Sequence, residues 1–265
     1  MSFFKIYFKI ILKHANIYKP TKHNTKYSNE YFLTHILDVL GTVVNYKSLM
    51  KLQSIKSNHE YHYKTINKKH IEWSQNGVYE NAYKEILQIN NSCKITTNNY
   101  IDTTLIVNKC GVEGIGYGCG ESRKKKYTSI AVVCNENIKP ISILCSSNYT
   151  KKLNEITTIK TLPHDTKSIL PSIKKINTDK PYNLIGDAGF VYNKSLLPSN
   201  VNLIYATRSN QHKKNTPDDK LKLKNRYKIE NLFAKIKQFN RIHIRRDKNI
   251  APFMGFIHLA IIKII

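Results

Sequence analysis

Hydrophobic positions in the first ninety residues recur at helical intervals. Between Tyr27 and Leu40, Phe32, Leu33, Ile36, Leu37 and Leu40 fall on one side of a helix, with Ser28 or Asn29 as N-cap and Gly41 just past its end. The same period predicts helices over Tyr46 to Leu52, Tyr63 to Trp73 and Val78 to Leu87, the last with Tyr79, Tyr83, Ile86 and Leu87 on one side. Beyond the polar stretch Asn90 to Asn99 the texture turns β-rich. Tyr100 to Val107 reads as a strand, and Tyr127 to Cys134 and Lys139 to Cys145 as an antiparallel hairpin turning at Asn135 to Ile138. A helical segment follows around Asp165 to Ile176, then short strands at Asn183 to Ile185 and Val201 to Ala206. A polar turn, Arg208 to Lys220, precedes a long helix from Leu221 to Phe239.

Three strands, a helix, two strands and a long helix make a mixed α/β layered domain. The pattern therefore divides the chain into a small all-helical domain, residues 1–95, and a mixed α/β domain, residues 96–265. Many Lys and Tyr on short helices suit a DNA-binding domain of helix-turn-helix type, and equally a helical cap that touches no ligand. The loop with Gly111, Gly114, Gly116, Gly118 and Gly120 lacks the Lys-Ser or Lys-Thr of a phosphate-binding loop and has no long helix after it, so it reads as a hairpin connection.

Charge narrows the partners. Forty-three Lys and Arg against 18 Asp and Glu leave +25, spread as +8, +6 and +11 over residues 1–100, 101–200 and 201–265. That balance draws a polyanion, nucleic acid before an anionic membrane, although an AT-rich coding sequence would also enrich Lys. Five cysteines, with no Cys-x-x-Cys pair, argue against a disulfide scaffold or zinc ribbon and for a reducing, intracellular compartment. Met1 to His14 is interrupted by Lys5 and Lys9 and does not read as a signal peptide; Phe253 to Ile265 is apolar but too short to span a bilayer. No membrane partner is expected.

Three carboxylates stand out. Asp102 lies in the otherwise apolar strand Ile101 to Val107, where burial of a charge demands a cationic side chain or a metal ion. Asp187 follows a short buried strand and precedes Ala188 and Gly189, at the strand end where α/β sheets collect ligands, although Asp-Ala-Gly also simply makes a turn. Glu230 is the one glutamate of the last 65 residues; its helix carries the core stripe Ile229, Leu232, Phe233 and Ile236, with Arg226, Glu230 and Lys237 on a neighbouring face. An exposed Arg226–Glu230 pair is the plain alternative there. Taken together, a strand Asp, a strand-end Asp and a helix Glu match what a two-metal phosphoryl-transfer site requires: hard oxygen ligands for two Mg²⁺ about 4 Å apart.

These residues carry a resemblance to insertion-sequence transposases of the Asp-Asp-Glu class. The stretch IEWSQNGVYENAYKEIL (Ile71 to Leu87) is similar to that family's Trp-x3-Gly segment, IDTTLIVNKCG to its first-Asp strand, KKKYTSIAVVCNENIKPISI to its next two strands, and IGDAGF to its second-Asp motif. Most specific is RYKIENLFAKIKQFNRIHIRRDK, which resembles the Arg-x3-Glu-x6-Lys signature through Arg226, Glu230 and Lys237. Leu223 stands where one branch has Tyr. The resemblance implies a ribonuclease H-like mixed sheet with flanking helices, and Asp102, Asp187 and Glu230 as catalytic ligands of two Mg²⁺ or Mn²⁺ ions. It further implies metal-dependent cleavage at transposon ends and strand transfer into target double-stranded DNA. Arg226 and Lys237 would contact DNA near the cleaved phosphate, with Arg241, Arg245 and Arg246 on the backbone. Joining two ends generally calls for a homo-oligomer on the DNA. A DNA-binding relative that has lost catalysis, or a metal-dependent nuclease on the same fold, are the competing readings.

Overall fold

The structure, a computed structural model, describes residues 3–18, 27–42, 46–57, 63–90, 94–117, 125–145, 173, 176, 178–190, 197–207 and 214–265. The helix expected around Asp165 to Ile176 lies almost entirely outside them. Two compact units emerge: Met1–Ile89 together with Ile236–Ile265, and Asn90–Lys235.

The first unit is helical. Helices α1 (Phe3–Ile17), α2 (Asn29–Gly41), α3 (Tyr46–Ser57), α4 (Tyr63–Gln75) and α5 (Val78–Ile89) follow in chain order. Ser28 caps α2, its hydroxyl accepting from the Tyr31 N–H at 3.1 Å, and Phe32, Leu33, Ile36 and Leu40 point inward from it. Trp73 of α4 is fully buried against Phe32 and Tyr79. Gly77 links α4 to α5 at φ +71°, a left-handed conformation that suits glycine.

Into this core come the short helix α8 (Asn240–His243) and then α9 (Ile250–Ile264), the latter packed on α4 and α5 and apolar around its whole circumference. Phe253, Phe256, Ile257, Ala260 and Ile261 are fully buried. Thus the segment 236–265, expected to belong with the α/β domain, is in the helical unit: an all-round apolar helix needs partners on every side, and α1, α2, α4 and α5 supply them. The imidazole of His70 fastens this junction. Nε2 donates to the Pro252 carbonyl at 3.0 Å, which leaves Nδ1 to accept from the Tyr79 hydroxyl at 3.2 Å.

The second unit holds a mixed sheet. Its strands are β1 (Asn98–Asn108), β2 (Gly116–Tyr117), β3 (Lys126–Asn135), β4 (Pro140–Cys145), β5 (Tyr182–Gly186) and β6 (Val201–Tyr205), followed by helices α6 (Pro217–Lys224) and α7 (Tyr227–Lys237). The order runs β2-β3-β1-β5-β6, with β4 also on β3. β3 is antiparallel to both β1 and β4, whereas β1, β5 and β6 run parallel. This is the mixed α/β sheet with flanking helices that the sequence leads one to expect. The β3–β4 turn is held by Asn135, whose side-chain oxygen accepts from the N–H groups of Asn137 and Lys139, each at 3.0 Å.

Alternation along β1 sorts its residues. Ile101 joins Ala131, Val133, Tyr182 and Leu184 in a core cluster on one face. Tyr100 and Asp102 therefore lie on the other, with Cys134 and Val132 as their cross-strand partners. Between α6 and α7 the predicted continuous helix is broken. α6 starts on a capping box, Thr216 with Asp219, and Pro217 at its first turn, and it ends at Asn225, whose N–H returns to Lys222 and Leu223. Arg226 sits in that break.

Candidate functional site

Asp102 obtains a cationic side chain from 124 residues away. Arg226 donates from Nη1 to Asp102 Oδ2 at 2.9 Å and from Nη2 to Glu230 Oε1 at 3.3 Å. One guanidinium thus spans a strand carboxylate and a helix carboxylate. Asp102 Oδ1 accepts the Thr103 N–H at 2.8 Å. The side chain of Asp102 is 18% exposed and that of Glu230 59%, so the first pair is largely shielded from water and the second is not. A shielded pair with good geometry carries most of the electrostatic weight; the i, i+4 pair adds about 0.3–0.5 kcal/mol.

Parallel pairing of β1 with β5 runs to Tyr100 and Ile185, and Asp187 follows just past the end of β5. Its Oδ1 accepts the Gly189 N–H at 2.7 Å, and a Cβ on Gly189 would approach that oxygen to 3.0 Å, so the absence of a side chain there admits the carboxylate. Asp102 and Glu230 are joined through Arg226, while Asp187 is held by its own turn. Among the described residues no three His, Cys, Asp or Glu form a group that could hold a metal ion.

Lys228 reaches over the ring of Tyr100, 5.7 Å from its centroid, on the same face as Asp102. Sequence reasoning passed over Lys228, whose only signal is its position two residues after Arg226. Burial pushes the Tyr100 hydroxyl up to about 12, so this phenol stays protonated at neutral pH. Lys237 is partly buried, which pulls its ammonium below the usual lysine range.

The arginines after α7 divide. Arg245 is fully buried; its guanidinium donates to the carbonyls of Asp247 and Lys248 at 3.1 and 3.0 Å and lies over Phe253. Arg241 is 7% exposed, over the ring of Phe256. Both pack within the helical core. Arg246 alone of the three keeps partial exposure.

The sheet is antiparallel on the β3 side of β1 and parallel on its β5 side. The chain superimposes on the piggyBac transposase of a synaptic complex with hairpin DNA with a TM-score of 0.62, over 97% of this chain and 73% of that one, at 9% sequence identity. It is 30% identical over 96 residues to a Brucella ovis protein named for the transposase of insertion sequence element IS6501, an overlap of 35% of this chain and 70% of that protein. No family model matches. The chain belongs to the insertion-sequence transposases.

Proposed function

We propose that this protein cleaves double-stranded DNA at the ends of a mobile element and transfers the freed strand into target DNA, with Asp102, Asp187 and Glu230 as its catalytic carboxylates. The observation that carries this reading is the convergence of Asp102 and Glu230 on one positive group, with Asp187 just past the end of β5, the strand beside β1. All three donors are hard oxygens, the set that suits Mg²⁺ or Mn²⁺, and the place between Asp102 and Glu230 already accommodates a cation. Two such ions, held by these carboxylates, would polarise the phosphodiester and lower the pKa of the attacking water.

The chain's own residues do the positioning. Arg226, freed from the carboxylates when they take another counterion, has its planar donor fork available for a phosphate, and Lys237 adds a point contact along the backbone. Contacts of this kind fix register without reading base sequence, a task that falls to the N-terminal helices. In the first step a water oxygen attacks phosphorus and the 3′-oxygen leaves as a hydroxyl. In the second that hydroxyl attacks a target phosphodiester, one P–O bond forming as another breaks. Two ends brought together require more than one protomer, and the work takes place in a reducing, DNA-containing compartment.

The test is cleavage of a duplex carrying the element's end with Mg²⁺ or Mn²⁺. Asp102→Asn, Asp187→Asn and Glu230→Gln should each lose at least about a hundredfold in rate while retaining the fold, as expected when a group stabilising the transition state is removed. Equal cleavage by wild type and Asp187→Ala would overturn the assignment.

A further inference from the structure

The helical unit contains a cavity of about 490 Å³ that the carboxylate site does not use. Its lining comes from the start of α3 and from α4, and from the segment that leads into α9. Lys47, Tyr63 and Asn67 stand on the first side, and Arg246, Lys248 and Asn249 on the second. A volume within about 300–1,000 Å³ is that of a ligand pocket rather than a packing defect.

Its charge is strongly one-sided. Lys47, Arg246 and Lys248 bring three cationic heads to one cavity, and no ion pair among the described residues engages their side chains. Asp247 is the acid on the lining, and it lies within the field of the buried Arg241 and Arg245. Three like charges around one cavity repel each other unless an anion joins them. The amino end of α9 faces the same place: Asn249 is its N-cap and makes no side-chain capping bond, and the first turn carries no acidic residue. A fifteen-residue helix with such a start favours negative charge at its amino end.

We infer that this cavity is a second DNA-backbone site, which seats one phosphate and its sugar against Lys47, Arg246 and Lys248 without regard to base sequence. Tyr63 supplies a ring for the sugar, and Asn67 and Asn249 supply neutral hydrogen-bonding groups around the phosphate. The inference rests on reading the chain as a DNA-processing transposase, not on the assignment of the three carboxylates.

The experiment is equilibrium binding of the full chain to fluorescent duplexes of two unrelated sequences, without divalent cation, over a range of salt. Wild type is compared with the triple variant Lys47→Gln/Arg246→Gln/Lys248→Gln and with Lys248→Glu alone. The triple variant should bind at least about tenfold more weakly near 0.1 M salt, equally for both sequences, with a log–log salt slope shallower by about two to three, since each neutralised phosphate contributes about 0.9. Lys248→Glu, an exposed change that leaves the core alone, should weaken binding several-fold. Unchanged affinity and slope in both cavity variants would overturn the site while leaving the DNA reading intact; a loss confined to one sequence would overturn the backbone assignment. Failure of wild type itself to bind either duplex would instead bring down the transposase reading and the site with it.

Discussion

Arg226 and Asp102 meet at 2.9 Å across 124 residues of chain, a helix break reaching a strand. The pair is partly shielded, so its weight lies between that of an exposed pair and that of a buried one. Replacing Arg226 with Ala should destabilise the protein by about 1–3 kcal/mol in urea unfolding, because Asp102 keeps its charge in an apolar strand. The double variant Arg226→Ala/Asp102→Asn should recover much of that loss. Strict additivity of the two single changes would show that the contact carries no coupling.

Much of the sheet could be read beforehand, because alternation with strong apolar residues fixes strand position to within two residues, as at Tyr100 to Val107 and Tyr127 to Cys134. The helix Leu221 to Phe239 was misread as continuous. α6 buries no residue, so the stripe Ile229, Leu232, Phe233 and Ile236 begins only after Arg226, and the Thr216-Pro217-Asp218-Asp219 start is a legible capping signal for a separate helix. α1 and α9 escaped as elements because apolar ends were weighed only as targeting or membrane segments. The Asp102–Arg226 contact had no local signal: periodicity pairs Arg226 with Glu230, and only the tertiary fold adds Asp102.

Ile138, at the β3–β4 turn, has φ +60°, a conformation that costs a β-branched residue roughly 1–2 kcal/mol. Ile138→Gly should relieve that strain and be neutral or stabilising by up to about 1 kcal/mol, after the added freedom of the unfolded chain is counted. A drop in melting temperature of several degrees would show that the Ile138 side chain contributes more packing than its backbone costs.

Burial holds the His70 imidazole down at about 3, against 6.5 unfolded. Between these values the unfolded chain binds the extra proton. Stability from this group is therefore complete above about pH 6.5 and is lost as pH falls toward 3, at up to about 1.4 kcal/mol per unit. Melts of wild type and His70→Gln at pH 7.5 and pH 5 check it: the gap between them should shrink on acidification. A gap independent of pH would contradict a neutral, buried His70.

Gly255 brings α9 against α4 and α5. A Cβ there would meet Tyr79 at 2.9 Å and His70 at 3.2 Å, as well as Ser74. Gly255→Ala should cost about 1–3 kcal/mol, the range for overpacking a tight core, and Gly255→Val more. Chemical denaturation of the full chain is the measurement, and wild-type stability in the alanine variant would mean the helices part without cost.

The bond from His70 to the Pro252 carbonyl closes a loop of 182 residues. During synthesis α1 to α5 leave the ribosome long before the helix that completes their interior, and the whole β sheet is made in between. The earlier segments must therefore wait, with the faces of His70, Tyr79 and Tyr83 uncovered, until α9 arrives. A stalled or shortened product would hold a finished sheet beside sticky, unfinished helices, a species that proteases and aggregation remove.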